Sequence, residues 1–146
     1  MMFITSLVLL SFAILPCFAQ GGNVRVTYNT LYDDPSWPLS STACSNGVNG
    51  LENKWPTLGD VPSYPFVMGI PGLVWNSTLC GTCWQLEYEY DADGDKIVTV
   101  VIAVDEAGTF DVAEAAFSAW AGNSGVEAGA VNATATQISP SDCGIF

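Results

Sequence analysis

The candidate chemistry in this chain rests on its carboxylates, cysteines and aromatic rings, and its 146 residues include no histidine. Ser-His-Asp and Cys-His catalysis are thereby excluded, since each needs an imidazole to take up the nucleophile's proton. Four cysteines, Cys44, Cys80, Cys83 and Cys143, follow an apolar N-terminal stretch that carries the fifth, Cys17. Cys80 and Cys83 frame Cys-Gly-Thr-Cys, a spacing used in redox centres and in half of a zinc site. Zinc is disfavoured because Cys44 and Cys143 have no close-spaced partner and structural zinc wants four ligands in two tight pairs. An even set of four in a chain bound for an oxidising compartment instead predicts two disulfides serving as staples. Three connectivities are open on these grounds alone.

Among the carboxylates, Asp105 stands out. It ends a β-branched run, 97–104, where a charged group is costly unless it is hydrogen-bonded or functional. The acidic segment Asp91-Ala92-Asp93-Gly94-Asp95 resembles a calcium loop, but Gly94 is fourth rather than sixth and position twelve is Ile102. It therefore reads as a hairpin turn, and no metal or cofactor is expected. Trp37, Trp55, Trp75, Trp84 and Trp120, with five tyrosines, supply rings that can stack on sugars, although a Trp on a patterned strand or helix more often packs in a core. Trp37, between Pro35 and Pro38 in a loop, is the one expected to be exposed. Fifteen acidic residues against Arg25, Lys54 and Lys96 give a net charge of −12. That balance excludes nucleic acid, whose phosphates need a basic footprint, and disfavours an anionic membrane surface.

The elements that must position these groups are read from periodicity. Residues 1–19 are uncharged and apolar, with Pro16 and Ala19 near their end, and read as a secretory signal peptide cleaved after Ala19. Residues 20–146 then form one domain, with no further apolar run of about 18 residues to insert in a membrane. Val24-Arg25-Val26-Thr27-Tyr28 alternates as a strand. The stretch 29–65 is rich in Asn, Asp, Ser, Gly and Pro and reads as loop, with one helical turn at 51–55. A strand follows at 66–70. Between 84 and 104, Trp84, Leu86, Tyr88 and Tyr90 alternate with Gln85, Glu87 and Glu89, turn at 91–95 and return at 97–104 as a hairpin. Asp111 and Glu114 have the spacing of a capping box, opening a helix with Val112, Ala115, Ala116, Ala119 and Trp120 inward and ending at Gly122. The last strand spans 130–138. The sum is a mainly β domain with a few short helices.

Several segments carry a resemblance. Val26-Thr27-Tyr28 to Tyr32-Asp33, Cys44-Ser45-Asn46-Gly47-Val48-Asn49-Gly50-Leu51, Trp75-Asn76-Ser77, Cys80-Gly81-Thr82-Cys83-Trp84, Val104-Asp105 and Ala133-Thr134-Ala135-Thr136-Gln137 before Cys143 fall in the order and rough spacing of the cerato-platanin family. The likeness covers essentially all of 20–146. It implies a six-stranded double-psi β-barrel related to expansins and to one group of endoglucanases, with Cys44 paired to Cys80 and Cys83 to Cys143. It further implies a monomeric protein, secreted or held in the fungal cell wall, that binds chitin or its N-acetylglucosamine oligomers without cutting them. Expansin-like loosening of the wall, elicitation of plant defences through a plant receptor, and self-assembly at interfaces belong to the same implication.

The groove that the resemblance implies carries over as Asp105, with Tyr28, Tyr32, Asp33, Asn49 and Gly50 near it. Asp105→Ala is then expected to weaken glycan binding and leave the thermal transition nearly unchanged. This chain departs from the family pattern at Gln85 and Glu106 and in its acidity. Two other readings compete with binding. Asp33 and Asp105 occupy places comparable to the catalytic pair of related endoglucanases, and inversion would need the two carboxyl groups roughly 6.5–9.5 Å apart. A surface-active, self-assembling protein would instead use exposed apolar loop residues, namely Trp37, Leu39, Val61, Tyr64 and Phe66. Asn76-Ser77-Thr78 and Asn132-Ala133-Thr134 are sequons that place candidate glycosylation at Asn76 and Asn132.

Overall fold

A computed structural model describes residues 22–90 and 94–146. Residues 1–21, which include the stretch read as a signal peptide, and Asp91 to Asp93 of the expected hairpin turn lie outside the described residues. Six strands close into a barrel: β1 (Gly22–Asn29), β2 (Val67–Ile70), β3 (Cys83–Glu89), β4 (Lys96–Glu106), β5 (Phe110–Ala113) and β6 (Val131–Ile138), in the circular order β1-β5-β2-β4-β3-β6. Two pairs, β1 with β5 and β2 with β4, are parallel, and the remaining contacts are antiparallel. Closure leaves no long sheet edge unpaired. Among the described residues there is one α-helix, α1 (Glu114–Ala128), which packs against the barrel, and the barrel matches the fold that the resemblance implies.

The hairpin follows its pattern. Cys83 pairs with Ile102, Leu86 with Thr99 and Glu89 with Lys96. Leu86 is fully buried while Trp84 and Tyr88 pack their rings edge-on to Phe110 and Trp120, at 5.4 and 5.9 Å. On the outward face Lys96 reaches across to Glu87. The return strand is buried only in its second half: Val101, Ile102, Ala103 and Val104 are enclosed, whereas Ile97 and Val98 remain 38% and 49% exposed.

The start of the helix differs from the capping-box expectation. Residues 110–113 are strand β5, Phe110 to Ala113 forming a parallel ladder with Val26 to Asn29 of β1 and Val112 opposing Met68 of β2. Asp111 therefore points its carboxylate at the Thr27 hydroxyl, 2.7 Å away, and caps nothing. Residue Ala113 is the N-cap and has no side chain able to cap. The acceptor comes instead from Asp33, whose Oδ1 takes the Ala115 N–H at 2.9 Å. Consequently the inward face is Ala116, Phe117, Trp120 and Ala121, while Ala115 and Ala119 are exposed. Gly122 breaks the helix as expected, at φ 68° and ψ −178°, a backbone geometry open in practice to glycine alone. A second helical piece runs on to Ala128 before Gly129 closes it in the left-handed conformation.

Beyond Asn29, the last residue of β1, the segment up to residue 65 contains no named strand among its described elements, yet it is pinned by backbone hydrogen bonds. Leu39 N–H donates to Pro56 O and Leu58 N–H to Trp37 O, while Lys54 and Trp55 both donate to Leu51 O, giving the expected helical turn. Leu39, Leu58 and Val61 are buried and Trp37 packs against the core. This overturns the expectation that Trp37, Leu39 and Val61 are exposed. Trp75, at 60%, is the exposed tryptophan. Disulfides join Cys44 to Cys80 and Cys83 to Cys143, with Cα–Cα distances of 5.4 and 5.8 Å. The sequence separations of 36 and 60 residues correspond to about 4 kcal/mol each on the chain-entropy model. The first bridge ties the long loop to the entry of β3, and the second ties β3 to the C-terminal tail.

Candidate functional site

Asp105 sits near the C-terminal end of β4, half-buried, and both of its carboxylate oxygens accept hydrogen bonds from within the protein. Oδ1 accepts the N–H groups of Ala43 and Glu106, both at 2.8 Å, and Oδ2 accepts the Tyr32 hydroxyl at 3.2 Å. Tyr32 is 2% exposed. Its burial first, and the nearby Asp105 charge second, push the phenol well above its ordinary value. Gly69 lies against this pair because a Cβ there would stand 2.7 Å from the Tyr32 oxygen. Asp105 is thus a joint between strand β4, the 30–33 turn and the long loop. That correction bears on the expectation that Asp105→Ala leaves stability untouched: removing the carboxylate strands a buried hydroxyl, and the cost is structural.

Asp33 has a separate task. Besides capping α1 through its side chain, it offers its backbone carbonyl to the Tyr64 hydroxyl at 2.5 Å. Tyr64 is pushed above its ordinary value by burial and then by Asp33 and Asp34. The neighbouring Asp34 is held below the usual carboxylate range by the Ser36 hydroxyl and N–H. Tyr28 turns to the helix, its ring 5.2 Å from Phe117 and its hydroxyl donating to Val126 O.

Asn49 and Gly50 belong to a third cluster. Asn49 N–H donates to Asn76 Oδ1 at 2.9 Å, and Asn49 Nδ2 donates to Asn76 O at 2.8 Å. Asn76 holds φ at 58°, and Gly50 is required because a Cβ would come within 2.4 Å of the Asn46 carbonyl carbon. Trp75 joins the same cluster by donating its Nε1–H to Asn46 Oδ1 at 2.9 Å. Of the six expected groove residues, then, Tyr32 and Asp105 meet directly and Asn49 and Gly50 lie on the loop that begins at Ala43. Tyr28 and Asp33 are committed to helix α1. Trp75 is among the candidate stacking rings but not among the expected groove residues; the available signal for its exposure was its place in an uncharged run after the Pro71-Gly72 turn.

Two further surfaces are shaped. A shallow polar depression of about 520 Å³ on the outer face of β1, β6 and β3 is lined by Asn23, Arg25, Glu87, Glu89, Asn132 and Thr134. Asn132, the second sequon, is exposed there, whereas Asn76 is half-buried with its Oδ1 engaged. An apolar depression of about 370 Å³ is lined by Phe66, Val98, Thr99 and Val100.

The fold is a six-stranded barrel carrying two disulfides, with the long loop joined to the entry of β3 by Cys44–Cys80. The cerato-platanin family model matches residues 24–145, and the chain belongs to that family of secreted fungal proteins. It is 38% identical over 137 residues to "Cerato-platanin" of Ceratocystis fimbriata f. sp. platani, covering 92% of this chain and 96% of that protein. It is 39% identical over 122 residues to "Allergen Asp f 15" of Aspergillus fumigatus, covering 82% and 76% respectively. The crystal structure of cerato-platanin 2 from M. perniciosa superposes with a TM-score of 0.78 at 31% identity, over 85% of this chain and all of that one. The solution structure of "the fungal elicitor Cerato-Platanin" gives 0.70 at 38% identity, over 82% and 96%.

Proposed function

We propose that this is a secreted, non-hydrolytic protein that binds neutral cell-wall polysaccharide, chitin or its N-acetylglucosamine oligomers, and loosens the wall without covalent chemistry. The observation that carries the reading is the engagement of both candidate carboxylates. Asp105 accepts from Ala43, Glu106 and Tyr32, and Asp33 accepts from Ala115. A hydrolase needs one carboxyl group protonated and aimed at the leaving oxygen and a second aimed at water or the anomeric carbon; here Asp105 holds three internal donors and Asp33 caps α1, so each has a structural task that favours the non-hydrolytic reading. Binding asks less of them, because the loop that Asp105 anchors presents amides and backbone groups beside it. Elicitation of plant defence, named for one relative of known structure, is proposed for this chain as the outcome of secretion beside a plant cell.

The test is incubation of pure protein with chitin, cellulose and soluble oligomers. Binding with no new reducing ends supports the reading. Reducing-end release that disappears in Asp105→Asn would replace it with glycoside hydrolysis. A second reading, surface activity, draws support from the exposed Ile97 and Val98 beside Phe66; surface tension lowered by the wild type but not by Val98→Thr would favour it.

A further inference from the structure

The five tryptophans divide sharply. Trp55 and Trp120 are 8% and 4% exposed, Trp37 and Trp84 pack against the core, and Trp75 is 60% exposed. An indole this open gains little from packing and is free to contact something else. Its edge is nevertheless held: Nε1–H donates to Asn46 Oδ1, and the next residue, Asn76, is bonded twice to Asn49. The loop bearing Trp75 is thereby latched to the 46–50 loop by three hydrogen bonds, so a ring face is presented on a preorganised support, which lowers the ordering cost of binding. Val74 and Val48, 54% and 94% exposed, add apolar surface on the same two loops.

Charge narrows what could bind. In a chain of net −12, residues 35–51 and 61–86 contain no Asp, Glu, Lys or Arg. The face built from these loops offers an indole, two valines and the amides of Asn46, Asn49 and Asn76. Neither loop carries an acidic or basic side chain of its own with which to pair a charged ligand; Asp105 and Glu52 adjoin the face, and the Asp105 carboxylate is engaged internally. A neutral pyranose polymer fits both features: its C–H faces stack on the ring, acetyl methyl groups contact valine, and hydroxyl and amide groups meet the asparagines.

We infer that Trp75, with Val48, Val74 and the asparagines around it, forms an aromatic platform on which the sugar rings of neutral, N-acetylated polysaccharide stack. The inference rests on the glycan-binding function proposed above and names the residue that grips the ligand. Ala43, three residues before Asn46, bonds Asp105, so the platform continues the Asp105 end of the barrel within about 10 Å of chain.

The experiment uses disulfide-bonded protein produced without N-glycans, with chitohexaose and insoluble chitin as probes. Binding is read by isothermal titration and by sedimentation. Intrinsic fluorescence is read by its shift on binding and by protection from acrylamide, signals that a purely structural role would not move. Wild type is expected to bind, with a blue shift and protection. Trp75→Ala is expected to keep its melting temperature and bind about tenfold more weakly, the order of one lost stacking contact; Trp75→Phe retains a ring and falls between. If wild type and Trp75→Ala bind equally, glycan recognition stands and the platform is refuted. If wild type binds neither probe, the proposed function fails and the platform with it.

Discussion

Asp105→Ala removes one acceptor from three donors, and the structure says what each donor then loses. The Tyr32 hydroxyl is on a residue only 2% exposed and cannot turn to water, so it bears a penalty of about 1–3 kcal/mol. The Ala43 N–H is half-buried and adds about 1 kcal/mol, while Glu106 N–H lies at the exposed strand end and is resolvated at small cost. The expected loss is about 3 kcal/mol. For a domain of this size each kcal/mol lowers Tm by about 4 °C, giving a fall of about 12 °C. Asp105→Asn keeps a carbonyl oxygen for the two backbone donors and offers its amide to the tyrosine oxygen, so it should cost less than about 1 kcal/mol. Thermal and urea unfolding of both variants, at neutral pH with disulfides intact, gives the comparison. An Asp105→Ala protein melting within about 2 °C of wild type would refute the view that this carboxylate is a structural joint.

Three other outcomes follow from the same contacts. Tyr32 has its folded-state pKa raised above the ordinary 10.0, so the unfolded chain loses that proton first. The associated stability is complete below pH 10 and declines as pH rises beyond it, by up to about 1.4 kcal/mol per unit. Tyr32→Phe should flatten that alkaline slope in urea unfolding measured between pH 9 and 11; an unchanged slope would count against it. Asp33→Ala should cost about 1 kcal/mol, as the loss of a helix cap does, and hydrogen exchange should rise chiefly in the first turn of α1; protection unchanged there would assign the cap elsewhere. Replacing Cys44 and Cys80 together by alanine should lower unfolding free energy by about 4 kcal/mol, and a loss below about 1 kcal/mol would contradict the bridge's role.

Local pattern made part of this molecule legible. The β3–β4 hairpin follows from strict alternation at 84–90 and β-branched residues at 97–104, because period-two patterning expresses itself over a few residues. The cysteine count implied two bridges, but their pairing came from family likeness, since spacing alone leaves three options. Strand β5 was hidden because it is four residues long and its Asp111 mimics a helix signal. The true cap, Asp33, is 82 residues from Ala115, and no local spacing can announce such a partner. Asp105 was found as a costly carboxylate, yet its donors lie 62 and 73 residues away, so its structural duty was invisible. Trp37 looked exposed from its prolines; long-range backbone bonds to 56–58 bury the loop instead.

The most direct check is a titration of isotopically labelled protein with chitohexaose, followed amide by amide, with the oligomer's length measured afterwards. The account predicts shifts concentrated in 43–50 and 73–78 and around Asp105, and a hexamer recovered whole. Shifts confined to the outer face at Arg25, Glu87 and Asn132, or a shortened oligomer, would contradict it.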